Sequence, residues 1–327
     1  MTTDTSIDIT IRPFDESDAD YAALAAVRNA IFPDYATTTQ ELRRWDERRH
    51  PEHLSRRLVA EAGGQVVGVA NYGHLSWNYH PHKFELGVHV HPGHQRRGVG
   101  ARLYERAMGE LAAHDPIVVR HFLREDYDDG VRFAKQRGFV EERRAWESRL
   151  DLSRFDPARF AGAVERVEAQ GIVLRTAGEL AAGDPDFWQK LYDLDTTLGH
   201  DVPSPDPFTP TPFERWLPWF TESPTFLPDG FFIAVDNGHY VGLSALWRRE
   251  TSPDLDTGLT GVRREYRRRG IALALKLRAI DYAMRAGAPV IRTDNAETNR
   301  PMLSINEALG FEKLPAWLTL RKNIRGE

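Results

Sequence analysis

The sequence predicts two tandem domains of the α/β (α+β) class, and three observations carry that prediction. With 327 residues, 41% of them hydrophobic and 28% charged, the chain has ordinary globular composition but is too long for one typical core. It also repeats itself. Gln95-Arg96-Arg97-Gly98-Val99-Gly100 returns as Arg267-Arg268-Arg269-Gly270-Ile271-Ala272, and Arg137-Gly138-Phe139-Val140-Glu141 returns as Leu309-Gly310-Phe311-Glu312-Lys313, both offset by 172 (270 − 98 and 310 − 138). Finally, strand-like and helix-like periodicity alternate in the same order in both halves.

The elements follow from local pattern. Val59 to Ala70 matches Ile233 to Ser244, with Gly68 and Gly242 offset by 174. Each segment reads as an antiparallel hairpin: Leu58 to Glu61, Gly63-Gly64, Val66 to Tyr72 in the first half, and Phe231 to Val235, Asn237-Gly238, Tyr240 to Leu246 in the second. Strands Phe84 to Val90 and Leu255 to Val262 stop just before the basic glycine turns. Amphipathic helices Ala101 to Ala112 and Leu273 to Ala286 follow, then strands Ile117 to Phe122 and Pro289 to Thr293, a short helix and the Gly-Phe ending. Ahead of the hairpins, Asp18 to Phe32 and Asp184 to Leu194 read as helices, the second with Asp184 as a cap ahead of Pro185. Gly199 to Pro212 reads as a loop, and the Trp-rich Phe213 to Phe220 as a helix packed on a core. Domain bounds fall at residues 1–152 and 171–327, with a linker at 153–170.

Composition narrows the function classes. Forty-three Lys+Arg against 48 Asp+Glu leave a formal charge of −5, which gives no global electrostatic case for nucleic acid or an anionic membrane. The absence of cysteine removes disulfides, thiolate metal sites and a Cys acyl-enzyme, and is compatible with a reducing cytoplasm. Met1 to Thr10 lacks the basic start and apolar stretch of a secretory signal, and apolar runs such as Ile271 to Leu275 are far too short to span a bilayer. His74, His80, His82, His89, His91 and His94 crowd one region, but their spacing matches no defined metal site, so no metal is expected.

The paired turns are where chemistry is expected. A strand end, a loop of backbone amides and a helix N-terminus make an anion site, because unsatisfied N–H groups and the positive helix end converge there. Arg96, Arg97, Arg268 and Arg269 add charge, and Gly98 and Gly270 permit unusual dihedrals or close ligand approach. Neither copy is a Gly-x-x-x-x-Gly-Lys-Ser/Thr loop or a Gly-x-Gly-x-x-Gly fingerprint.

Strand, Gln/Arg-x-x-Gly-x-Gly/Ala turn, helix, strand, short helix and Gly-Phe together resemble the GNAT superfamily of N-acetyltransferases, twice, over nearly the whole chain. The second half, Thr257 to Lys276 and Asn299-Arg300-Pro301-Met302 through Gly310-Phe311, is similar to the tandem type that includes mycothiol synthase-like proteins. The resemblance implies two mixed, mostly antiparallel sheets, each splayed after its fourth strand and flanked by helices. It implies acetyl-CoA bound through Val88, His89, Val90, Gln95, Arg96, Arg97, Gly98, Val99 and Gly100 in the first half. In the second half the same positions are Thr260, Gly261, Val262, Arg267, Arg268, Arg269, Gly270, Ile271 and Ala272, together with Asn299; the first half departs from this with Tyr127.

Transfer to an amine needs the amine neutral, so a carboxylate on the splayed strand is the expected base. Asp256, six residues before Val262, is in step with the position where many family members carry glutamate. Glu85, five before Val90, is one residue out of step unless its strand carries a bulge. The family's tyrosine acid, four residues before the Gly of Gly-Phe, falls here on Ala134 and Asn306, neither of which can serve. The expected function is acetyl-CoA-dependent N-acetylation of a small-molecule amine by direct transfer, with the second half the favoured site, in a monomeric pseudo-dimer or a weak homodimer. The alternative is a catalytically silent CoA-binding or sensor protein.

Overall fold

The computed structural model describes residues 8–325. Residues 1–7 of the Met1 to Thr10 stretch lie outside the described residues. Two compact units emerge, one running up to Glu142 and joined by the chain from Leu318 onward, the other spanning Arg143–Trp317.

The first unit comprises β1 (Ile9–Pro13), α1 (Asp18–Ile31), α2 (Thr39–Glu47), β2 (Ser55–Ala62), β3 (Gln65–Gly73), β4 (Lys83–Val90), α3 (Val99–Leu111), β5 (Val118–Arg124) and α4 (Asp128–Gln136). Ser17 caps α1 by accepting from the Asp20 amide. The second unit comprises β6 (Val140–Asp151), α5 (Ala163–Glu168), β7 (Val173–Thr176), α6 (Ala177–Gly183), α7 (Phe187–Gly199), α8 (Phe213–Trp216) and α9 (Pro218–Thr221). It continues through β8 (Phe226–Asp236), β9 (His239–Arg248), β10 (Leu255–Val262), α10 (Ile271–Arg285), β11 (Val290–Ala296), α11 (Arg300–Leu309) and β12 (Glu312–Lys313). The last strand, β13 (Trp317–Asn323), returns to the first unit.

The first unit's part of the sheet has the order β1-β2-β3-β4-β5-β13; β1 to β4 pair antiparallel and β4 runs parallel to β5. One face of it buries Leu58, Ala60, Phe84 and Leu86 with Leu103, Ala107 and Leu111 of α3. The other buries Val59 and Val69 with Tyr21 and Leu24 of α1 and Leu42 of α2. The second sheet has the order β6-β11-β10-β9-β8-β7, with β10 parallel to β11. Leu255 and Val262 pack with α10 on one face, while Leu243 and Ala245 pack with Leu191, Leu194 and Leu198 of α7 on the other. The side-chain period of two therefore assigns a helix layer to each face of each strand.

Some boundaries differ from those read in the sequence. Residues 143–151 are a strand of the second sheet, and Leu150 and Leu152 join its core. Residues 153–170 are likewise no spacer, since Val167 on α5 is 1% exposed in that core. Asp184 does not cap α7, which begins behind Asp186. The Asp184 carboxylate instead accepts from Tyr240 Oη at 2.9 Å and Lys190 Nζ at 2.8 Å. Pro218 breaks the Trp-rich helix into α8 and α9.

Candidate functional site

The two basic turns have the same backbone. Arg96 and Arg268 sit at φ 62° and 61°, and Gly98 and Gly270 at φ 83° as helix N-caps that supply no side chain. A left-handed arginine followed by a left-handed glycine curls the chain so that the amides opening α3 and α10 have no capping oxygen. Gln95 Nε2 donates to the Val90 carbonyl at 3.0 Å and Arg267 Nε to the Val262 carbonyl at 3.0 Å, tying each turn to the end of its strand. A Cβ at Gly98 would meet nothing within 4 Å, so the space in front of those amides is open. Gly100 lies where a Cβ would make ordinary contacts at 3.5 Å or more, consistent with Ala272 in the other copy.

The turns differ in what holds their arginines. Arg96 pairs with exposed Asp129 at 3.2 Å. In the second unit Arg269 Nε donates to Gln170 Oε1 at 3.0 Å, and Gln170 Nε2 donates back to the Arg269 carbonyl at 3.2 Å. Arg267 and Arg264 there share Asp201. The turn of the first unit is the less encumbered of the two.

Beside each turn the parallel strand pair parts. β4 pairs with β5 only at Lys83, Phe84 and Glu85, opposite Val118, Val119 and Arg120. β10 pairs with β11 only at Leu255 and Asp256, opposite Ile291 and Arg292. Glu85 and Asp256 are therefore the last paired residues before each splay, and both face an arginine across the ladder. The one-residue mismatch between them is absorbed by an irregularity in β10, between Thr257 and Thr260, while β4 pairs with β3 in unbroken register. Gly258 lies in that irregularity; a Cβ there would come within 2.5 Å of Trp247 Nε1.

Their electrostatics differ. The Glu85 carboxylate has no hydrogen-bond or ion-pair partner among the described residues, because Arg120 is turned to Glu142 at 2.6 Å. Burial pushes Glu85 up to about 7, against the charges of Arg49 and Arg57. Asp256 is held by Arg249 Nη1 at 3.0 Å and 3.1 Å. Burial raises Asp256 as well, against the Arg249 ion pair, which lowers it, and 42% of its side chain is open to solvent.

On β4, Glu85, Gly87 and His89 share the face opposite α3, towards α1 and α2. His89 packs edge-on to Phe32 at 5.8 Å, and burial, with Arg28 and His121 nearby, pushes it down to about 3, so it is a neutral imidazole at pH 7. His121 donates through Nδ1 to the Leu86 carbonyl at 2.7 Å, covering a backbone acceptor just past the splay. Val88 and Val90 lie on the α3 side, and Val99 is buried beneath the turn. In the second unit Thr260 and Ser244 share a 2.9 Å hydrogen bond, and Val262 and Ile271, the first residue of α10, are buried in one core while Ala272 packs at its edge. A Cβ on Gly261 would press on the Leu198 side chain at 3.1 Å. Asn299 caps α11 through the Met302 amide at 3.4 Å. Two tyrosines near the turns are engaged: Tyr127 Oη donates to the Ile31 carbonyl at 3.2 Å and Tyr266 Oη to Asp236 at 2.8 Å.

Three polar groups near these sites, two half-buried and one buried, escape the motifs. Arg28 on α1 and Asp195 on α7 are charges among apolar neighbours, visible in sequence only as interruptions of an inward-facing helical stripe. Lys276 on α10 is 4% exposed, lies over the Phe311 ring at 5.2 Å, and is pushed down to about 8 by burial. In the first unit that position is Tyr104, whose hydroxyl accepts from Lys322 at 2.9 Å.

A parting parallel strand pair beside an uncapped helix start, built twice, defines the class: a tandem acyltransferase fold. Comparison with known proteins agrees. The acetyltransferase (GNAT) family matches residues 21–139 and 188–311, and the chain belongs to that family. It is 24% identical over 307 residues to a mycothiol acetyltransferase of Nocardioides sp., covering 89% of this chain and 92% of that one. It is 34% identical over 104 residues to an L-amino acid N-acyltransferase of Escherichia coli, covering 28% of this chain and 58% of that one. Among solved structures, the tandem GNAT protein from the clavulanic acid biosynthesis pathway superposes with a TM-score of 0.76 at 20% identity, over 98% of this chain and all (100%) of that one. The chain is thus an N-acetyltransferase by family. Among the described residues no helix is long and apolar enough to cross a membrane.

Proposed function

We propose that the protein transfers an acetyl group from acetyl-CoA directly to a small-molecule amine. The observation that carries this reading is the coincidence, in each unit, of an uncapped left-handed Arg/Gly turn with a strand pair that parts at a carboxylate. The donor set fits a pyrophosphate: amides of the turn and helix start, with arginines around them. Gln95 to Gly100 and Arg267 to Ala272 would hold the pyrophosphate, and the open edges at Val88 to Val90 and Thr260 to Val262 the pantetheine arm. Acetyl-CoA, when bound, supplies an activated thioester acyl group. Glu85, free of partners and near neutrality, accepts the proton that an ammonium must lose before its nitrogen can attack.

Sequence favours the second half through Asp256 and Asn299. Two observations shift our proposal to the first unit as the stronger transfer site: the β10 irregularity makes Glu85 and Asp256 equivalent in register, and Asp256 is tied to Arg249. The proposed setting is a reducing cytoplasm, which a chain without cysteine fits. A second reading, a silent CoA-binding or sensor protein, is favoured by Ala134 and Asn306, which leave no tyrosine acid at the family's position. CoA release from acetyl-CoA across an amine panel separates the two. Tight acetyl-CoA binding with no transfer to any amine sinks the enzyme reading.

A further inference from the structure

Superposing the apolar faces of α1 and α7, with Leu24, Val27 and Ile31 on Leu191, Leu194 and Leu198, brings Arg28 onto Asp195. Each charge lies one helical turn before a residue that touches the splayed strand: Phe32 packs on His89, and Leu198 lies against Gly261. Each also meets a tryptophan from a following helix. The Arg28 guanidinium lies 5.8 Å from the Trp45 ring centre, and Asp195 Oδ2 accepts from Trp216 Nε1 at 2.9 Å. The same place on the helix that covers the splay thus carries a basic side chain in one unit and an acidic one in the other.

Arg28 is the unsatisfied member. Its guanidinium makes no hydrogen bond or ion pair among the described residues, and its Nε is buried without a partner. Glu41, the counter-charge acting on it, is hydrogen-bonded by Thr37 at 2.7 Å, and the charge of Arg57 opposes its own. A half-buried guanidinium with an unpartnered, buried Nε, beside an open indole (Trp45 is 43% exposed), is a fork waiting for a planar oxyanion.

We propose that the first unit's cleft selects amines that also carry a carboxylate, anchored on Arg28, and that the second unit, with Asp195 in that place, has no such anchor. The proposal rests on the acetyl-transfer reading above. An anion seated at Arg28 lies beside His89, on the sheet face that also carries Glu85, so one small molecule can place its carboxylate on the helix and its amine towards the strand.

The test uses the full chain with acetyl-CoA and the L-amino acids, each matched with its C-terminal amide, recording CoA release and calorimetric binding. The best acids are expected to exceed their amides in kcat/KM by about tenfold or more, the usual scale for a charge-assisted bidentate contact. Arg28→Gln is expected to erase that preference through KM while the amides and the KM for acetyl-CoA stay put, and Arg28→Lys to restore part of it. Amides used as well as acids by the unaltered protein, or Arg28→Gln weakening acids and amides alike, overturns the proposal. If Arg28→Gln does not fold, the acid-to-amide ratio of the unaltered protein and of Arg28→Lys decides. If no amine is acetylated, the transfer reading falls instead; tighter binding of acids than amides, lost in Arg28→Gln, then sustains the carboxylate anchor, and its absence overturns it.

Discussion

Glu85 stands directly across the β4–β5 ladder from Arg120 at the last paired position, yet the Arg120 guanidinium is committed to Glu142 at 2.6 Å and makes no ion pair with Glu85. A carboxylate so placed titrates near neutrality. Because the base must be deprotonated to accept a proton, activity should rise with pH through about 7 and flatten above it. Glu85→Gln should lower kcat/KM by about 10²- to 10⁴-fold and remove that limb. A pH–rate profile for this variant beside Asp256→Asn measures which carboxylate carries transfer; an unchanged limb in Glu85→Gln would assign the base elsewhere.

The glycine turns invite a separable test. At φ 83° a β-branched side chain is strained by about 1–3 kcal/mol even where space is free, as it is at Gly98. Gly98→Val should therefore weaken acetyl-CoA binding at the first turn and Gly270→Val at the second. Calorimetric titration of each variant reads the number of sites lost, and equal binding in Gly98→Val would remove the first turn from the cofactor site.

Lys276 makes a stability prediction with a definite sign. The folded chain gives up this proton near 8 and the unfolded chain near 10.5, so between those values the unfolded state holds more protons and stability rises with pH. Lys276→Met should be more stable than the parent at pH 7, by about 3 kcal/mol at most, with the gap closing towards pH 10. Denaturant unfolding at both pH values checks it; a less stable Lys276→Met at pH 7 would show that the ammonium over Phe311 is a net gain.

On the acidic side, Asp46 accepts from Tyr21 Oη at 2.6 Å and from both Arg57 nitrogens at 2.5 Å and 2.8 Å. Burial alone would raise its pKa, but the Arg57 bonds outweigh burial and hold it below the usual carboxylate range. That stabilisation is present above the ordinary value and is lost as pH falls through the depressed one. Asp46→Asn should cost about 3–5 kcal/mol at pH 7, because it strands a buried arginine. Loss of less than 1 kcal/mol in a thermal melt would argue that water reaches Arg57.

What the sequence could show was what is written locally. Gly98 with its arginines, and the repeat at Gly270, announce the turns because backbone conformation there depends on residues in immediate succession. The irregularity between Thr257 and Thr260 was not legible, since a two-residue period cannot say which of two paired strands holds the extra residue. Nor was the strand Val140–Asp151, whose run of charges hides the alternation that buries Leu150. Arg28 and Asp195 draw their significance from being opposite in sign at one shared position, which appears only when α1 and α7 are laid on each other by their packing.

The return of β13 to the first unit sets an order of completion during synthesis. Leu318 and Leu320 belong to the core around Val119 and Leu123, so the first unit must wait for a segment made after the whole of the second before its core is complete. Severing the chain at residue 142 would therefore yield no intact first unit, and a break just ahead of Leu318 would damage that unit from the far side of the second.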